Sequence, residues 1–190
     1  MDMLCGIDEA GRGPLAGPLV VAGVVIINKI DELDDSKKLT EKKREELYPK
    51  IIENTKYHIV FKSAKEIDEK GISSCLKSSI QEIMENLEAV EYLMDGNTSF
   101  GISNLAHKIK ADATIKEVSA ASILAKVSRD RYMYEIAPQF KDYDFDKHKG
   151  YGTKAHIEKI KQYGRSSEHR KTFKLKALGE ENIGVQKSLF

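Results

Sequence analysis

An α/β fold built on a mixed five-stranded sheet, flanked by helices and followed by a helical C-terminal appendage, is what this sequence predicts. Three observations carry the reading. Short β-branched or alternating segments at 3–9, 18–27, 57–62, 90–94 and 106–111 are interspersed with stretches of helical periodicity. The first two are joined by a glycine-rich turn containing Gly11, Gly13 and Gly17. Charge is unevenly spread: residues 147–176 hold ten Lys and Arg against two Glu, whereas residues 1–146 hold 20 basic and 26 acidic groups.

Taken in order, Val20, Val21, Val24, Val25, Ile26 and Ile27 are β-branched and suit a buried second strand. Thr40 can cap a helix over 41–53 that turns Leu47, Ile51 and Ile52 inward, with Lys43 rather than Glu at the reach-back position. Tyr57 to Lys62 alternates as a strand. A short helical turn from Ala64 closes at Gly71. Leu76, Ile80, Ile83, Met84 and Leu87 then repeat with helical period and form a core stripe. Two short strands follow, ending at Asp95 and at Asp112. A long helix over 114–137, small-residue rich at 119–125, stops at Pro138. A basic helix over 154–163 comes after the turn at Gly150-Tyr151-Gly152. The expected division is a body over 1–140, a basic helical appendage over 141–178 and a flexible tail over 179–190.

Composition excludes several classes. No apolar run approaches the ~18 residues of a membrane span, and no basic stretch followed by an apolar segment opens the chain, so export is not expected. Cys5 and Cys75 have neither metal spacing nor a disulfide framework and read as small core residues in a reducing cytoplasm. His58 reads as structural, and His107 and His156 as surface residues or supports of a site; no histidine pair has zinc spacing. An acidic body with a basic C-terminal segment fits a metal–carboxylate site beside a polyanion clamp, although a charge run is as often a solvated face.

The chemistry-bearing residues gather at strand ends. Asp8 and Glu9 close the first strand, and Asp95 and Asp112 the fourth and fifth. Neighbours on a strand point to opposite faces, so Asp8 and Glu9 diverge unless the strand is ending or bulged. Carboxylates at strand ends share one sheet edge, where α/β sites form. Four of them repel one another unless cations intervene, and hard oxygen ligands select Mg²⁺ or Mn²⁺. Two such ions about 3.5–4 Å apart activate water and stabilise the leaving oxygen of a phosphodiester. Asp130 is a candidate extra acid; the alternative is an ion pair with Arg129 or Arg131. Gly11-Arg12-Gly13 is a weak match to a dinucleotide loop, because a strand rather than a helix follows. It suits close backbone approach to a sugar-phosphate chain, with Arg12 on a phosphate. Lys37 and Lys38 can bind phosphate, Tyr151 between two glycines can stack on a base or sugar, and His169, Arg170 and Lys171 add positive charge.

These blocks together resemble ribonuclease HII: Asp8-Glu9-Ala10-Gly11-Arg12-Gly13-Pro14, Asp35-Ser36-Lys37-Lys38-Leu39, Asp95-Gly96, Lys110-Ala111-Asp112, Ser119 through Val127 with Arg129-Asp130, Gly150-Tyr151-Gly152-Thr153 and His169-Arg170. They are collinear and cover 4 to about 173. The alanine at 111 and the glycine at 152 are mild departures from common family variants and remove no ligand.

The resemblance implies a ribonuclease H-like catalytic domain. It implies cleavage of the RNA strand of RNA–DNA hybrids and incision at single ribonucleotides embedded in duplex DNA, leaving a 3′-hydroxyl and a 5′-phosphate. Asp8, Glu9, Asp95 and Asp112 match the family's four metal-binding carboxylates, holding two Mg²⁺ or Mn²⁺ ions. Gly11, Arg12 and Gly13 match the motif that senses the ribose 2′-hydroxyl, the group that tells RNA from DNA, and Tyr151 the tyrosine that stacks on the following deoxyribose. Lys37, Lys38, His169 and Arg170 complete the candidate substrate-binding set. The last five residues resemble the bacterial sliding-clamp pentapeptide, with Gln186 ahead of the apolar anchors Leu189 and Phe190; a monomer with no membrane contact is expected. Two other readings compete: a nucleic-acid-binding protein whose acidic cluster is structural, and another nuclease of the same fold, such as a junction resolvase.

Overall fold

The computed structural model, which describes residues 3–35 and 39–180, sets β1 (Leu4–Ala10) antiparallel to β2 (Leu19–Ile26). After α1 (Glu41–Asn54), β3 (Thr55–Lys62) adds antiparallel to the outer edge of β2. The helices α2 (Ala64–Lys70) and α3 (Ile72–Asn86) carry the chain across the sheet to β4 (Glu91–Asp95), which pairs parallel with β1. The last strand, β5 (Leu105–Lys108), pairs parallel with β4. The sheet is therefore mixed and five-stranded, in the order β3-β2-β1-β4-β5. The long helix α4 (Lys116–Ile136) follows, then one turn of helix, α5 (Phe145–His148), and α6 (Lys154–Tyr163).

Each face of the sheet is covered. Leu19, Val21 and Val25 of β2 pack with Leu76, Ile80 and Ile83 of α3, while Val20, Ala22 and Val24 pack with α1 and α4. A strand buried on both faces reads as a continuous apolar run rather than an alternation, and β2 does. Thr40 caps α1 through the Lys43 amide, as expected. Ser63 and Glu66 form a full capping box on α2 that the sequence reading passed over. Cys5 and Cys75 are both buried free thiols.

The approach of α4 to β1 is set by Gly6. A Cβ there would lie 2.3 Å from the Glu117 carbonyl carbon and from the Val118 nitrogen, so only glycine lets the helix pass so close. The small buried residues Ser119, Ala120 and Ala121 do the same from the helix side.

From Phe140 onward the chain folds back on the second half of α4. Ala16, Met133, Ile136, Tyr143 and Phe145 form a third apolar cluster, and a β-bridge joins Ala16 to His169. Among the described residues no helix is long and apolar enough to cross a membrane.

One strand is shorter than expected. The ladder of β5 ends at Lys108, four residues before Asp112, because Lys110 takes a left-handed conformation (φ 59°) and the chain turns through 111–113.

Candidate active site

Register brings the first carboxylates together. β1 and β4 pair parallel through Ile7 and Met94. The next residues in that register are Asp8 and Asp95, so they sit on adjacent strands at one sheet edge, and in-register neighbours share a face. The β1–β2 ladder runs unbroken through Asp8–Ala22, Glu9–Val21 and Ala10–Val20. No bulge re-aims Asp8 or Glu9; both stand near the site because β4 stops beside them.

Asp8 is 7 % exposed. It accepts the Glu9 amide at 2.7 Å and a hydrogen bond from Ser122 on α4. Burial first, then the charges of Glu9 and Asp95, push its carboxyl well above the usual range. Burial also raises Glu9, although Arg12 at 3.4 Å opposes the shift. The other oxygen of Glu9, Oε2, is buried and has no hydrogen-bond partner among the described residues. Burial and the charge of Asp112 raise Asp95, against the Ala111 amide that binds its Oδ1 at 2.7 Å. Asp112 reaches this edge on the 111–113 turn rather than at a strand end.

Among the described residues, no three or more His, Cys, Asp or Glu side chains form a ready ligand shell. The donor set is nonetheless suited to a hard divalent cation. All four groups are carboxylates, three are raised by burial and mutual repulsion, and one buried oxygen lacks a partner.

A cavity of about 760 Å³ opens over this edge. Glu9 and Asp112 line one side; the backbone of Gly11, Arg12 and Gly13 lines another; Arg44, Lys110, Lys126 and Tyr151 supply three cations and an aromatic ring. Tyr151 is 42 % exposed. Arg129 and Lys126 lie 5.4 and 5.6 Å from its ring centroid, within cation–π range.

Other candidates fall elsewhere. Asp130 is buried and pairs with Lys126 at 2.8 Å, not with Arg129 or Arg131; Arg131 pairs with Glu45. His169 and Arg170, expected to add positive charge among the substrate-binding residues, are 1 % and 0 % exposed, so neither side chain presents its charge on the surface. Burial and the neighbouring His156 push His169 down to about 3, so it is neutral. His156, expected near the surface or behind a site, is fully buried, whereas His107 is exposed. Among the described residues the Arg170 side chain hydrogen-bonds only backbone carbonyls, of Gly11, Arg12 and Gly17. Lys37, Lys38, Gln186, Leu189 and Phe190 lie outside the described residues.

The sequence reading missed Ser122 and Lys126 as site residues. With Arg129 they stand at i, i+4 and i+7 of α4, one helical face, and that spacing was the available signal.

The five-stranded sheet and its acidic edge define a nuclease of ribonuclease H-like architecture. The family model for ribonuclease HII matches residues 5–176. A ribonuclease HII of Aliarcobacter butzleri (strain RM4018) is 70 % identical, with the alignment covering all of both chains. Ribonuclease HII of Archaeoglobus fulgidus, solved in a complex with PCNA, superposes with a TM-score of 0.78 at 32 % identity, covering 91 % of this chain and 96 % of that one. Ribonuclease H2 of Pyrococcus horikoshii OT3 gives 0.75 at 30 % identity, over 90 % and 93 % of the two chains. The chain belongs to the ribonuclease HII family. It is an endoribonuclease acting on RNA–DNA hybrids and on ribonucleotides embedded in duplex DNA.

Proposed function

We propose that Asp8, Glu9, Asp95 and Asp112 hold two divalent cations, Mg²⁺ or Mn²⁺, and that Gly11, Arg12 and Gly13 read the ribose 2′-hydroxyl of the nucleotide to be cut. The observation that carries the cation reading is the Oε2 of Glu9, buried and unpartnered among the described residues, beside carboxyls raised by burial and by their mutual repulsion. Bound cations would supply an activated water and charge stabilisation for the leaving 3′-oxygen, giving 3′-hydroxyl and 5′-phosphate ends.

The chain's own residues do the rest. The Glu9 amide binds Asp8 Oδ1, and the Ser122 hydroxyl favours the ionised carboxylate. The Ala111 amide orients Asp95. Arg12, tied to Glu9 and half exposed, can leave that contact for a substrate phosphate. Tyr151, with cations behind its ring, offers its exposed face for stacking on the sugar that follows the ribonucleotide. Lys126, with Lys37 and Lys38, adds phosphate contacts. No protein nucleophile is required, because phosphoryl transfer depends chiefly on positioning and charge stabilisation.

The reading is tested by a duplex with one embedded ribonucleotide against its all-DNA counterpart, each with Mg²⁺, Mn²⁺ or chelator. Cleavage of the first alone, abolished by chelator, is expected; cutting in chelator would sink the cation reading, and equal cutting of both duplexes the ribose reading.

We further propose that Gln186 to Phe190 dock on the bacterial sliding clamp. The clamp complex of the Archaeoglobus fulgidus relative supports a partnership of that kind. Retention of the clamp by full-length protein but not by a chain ending at Val185 is expected; equal retention would overturn it.

A further inference from the structure

The connection from β1 to β2 is held from beneath by two arginines. Arg129, on α4, donates from Nε to the Pro18 carbonyl and from Nη2 to the Ala16 carbonyl, each at 3.0 Å. Arg170, beyond α6, donates from Nη2 to Gly11 at 2.6 Å and to Gly17 at 2.9 Å, from Nε to Gly17 at 3.1 Å and from Nη1 to Arg12 at 3.2 Å. Its backbone amide donates to the Leu15 carbonyl at 2.8 Å. Both side chains are fully buried, and among the described residues neither forms an ion pair. A buried cation is costly unless its donors are satisfied, and here the partners are main-chain carbonyls of one loop; among the described residues only Arg129 Nη1 is left buried without one.

That arrangement dictates which way the loop's peptides face. A trans peptide carries its carbonyl and its amide on opposite sides. With the Gly11 and Arg12 carbonyls drawn down onto Arg170, the amides of Arg12 and Gly13 turn away from it, and Gly11, Arg12 and Gly13 all line the cavity. Gly11 makes the approach possible: its φ is +92°, and a Cβ there would lie 2.3 Å from Arg129 Nε.

We infer that Arg170 sets the Arg12 and Gly13 amides for the ribose, that Arg129 braces the same loop from its other end at Ala16 and Pro18, and that both are positioning residues that determine specificity for a ribonucleotide without touching it. This rests on the proposal that the loop reads the 2′-hydroxyl. Lysine cannot replace either arginine, because one ammonium cannot span carbonyls that a planar fork reaches together.

The test uses full-length Arg170→Lys and Arg129→Lys, which keep the charge. Affinity is measured in Ca²⁺ for a duplex with one ribonucleotide and for its all-DNA counterpart, counting uncut duplex only, together with thermal melting. Each variant is expected to fold and to lose about tenfold or more of the ribonucleotide preference; Arg170→Lys should also bind the all-DNA duplex within about twofold of wild type, whereas Arg129, which lies behind the Tyr151 ring, is judged by the ratio of the two affinities alone. Unchanged preference in a folded variant overturns the inference. Parallel weakening on both duplexes, or failure of both variants to fold, assigns the arginines to general binding or to the fold and overturns it equally. Gly13→Leu separates the two levels, since a Cβ at Gly13 meets nothing within 4 Å. Full preference in Gly13→Leu sinks the loop reading itself. Preference lost there but kept in both lysine variants sinks only the positioning role.

Discussion

The backbone amide of Ala111 donates to Asp95 Oδ1 at 2.7 Å, so the carboxylate that ends β4 also fixes the turn that delivers Asp112. One side chain thus serves the site twice, as a charge and as an acceptor. Asparagine keeps the acceptor and loses the charge. Asp95→Asn should therefore fold normally, with unchanged or higher stability because a repulsive charge is gone, and still bind duplex. Cleavage should fall by more than about 10²-fold, since even loss of a group behind a metal ligand costs 10–100-fold. Asp95→Ala should in addition lose about 1–3 kcal/mol of stability by leaving the amide unpaired. Urea melts and single-turnover rates on the two variants check both halves; full activity in Asp95→Asn would remove Asp95 from the site.

Asp130 gives a contrasting expectation. Its partner is Lys126, at 2.8 Å, and Lys126 lines the cavity beside Tyr151. The pairing supports a role for Asp130 through the lysine rather than at the scissile bond. Asp130→Asn should raise KM for the ribonucleotide duplex while kcat stays within about tenfold of wild type. A kcat loss as large as that of Asp95→Asn would place Asp130 with the four carboxylates proposed to hold the cations.

The two acids also show what the sequence disclosed. Asp8, Glu9 and Asp95 were legible because strand-like segments end at them, and strand ends of one sheet converge. Asp112 was legible as a member of the set but not in its route, because a left-handed Lys110 cuts β5 short. The partner of Asp130 was sought at Arg129 and Arg131, yet adjacent residues on a helix do not face each other, whereas Lys126 at i−4 does. Arg170 and His169 sit in a strongly basic segment, and a charge run does not say which members are buried. Their burial follows from a long-range event, the return of the chain onto the 11–18 loop, which local patterning does not encode.

His156 and His169 meet Nε2 to Nε2 at 3.0 Å in the interior. Burial leads in lowering both, His156 to about 4 and His169 to about 3. In the unfolded chain each titrates near about 6.5. Between these values the unfolded state binds more protons, so stability present above about pH 6.5 is lost as pH falls towards the folded values. The loss is on the order of 2 kcal/mol per histidine between pH 7 and 5. Asp8, Glu9 and Asp95 run the other way: raised in the fold, they add stability as pH falls. The comparison must therefore be between wild type and His169→Gln, which cannot titrate. Urea midpoints should fall less steeply on acidification in the variant; parallel curves would show that His169 does not titrate on unfolding in that window.

Gly6 ties the sheet to the site through packing alone. A Cβ at this position would lie 2.3 Å from the backbone of Glu117 and Val118, and backbone cannot yield as a side-chain tip can. Gly6→Ala should push α4 off β1, costing about 1–3 kcal/mol in overpacking. The same displacement draws Ser122, one turn further along α4, away from Asp8, two residues along β1, so kcat should fall even where the variant is fully folded. Gly13→Ala is the matched control: its Cβ meets no protein atom within 4 Å, and its melting temperature should equal that of wild type. Thermal melts of both variants, with rates measured well below the lower transition, decide the matter. A Gly6→Ala protein with wild-type stability and rate would mean that the helix accommodates the methyl group, and that its close approach to β1 is not what holds Ser122 on the carboxylate.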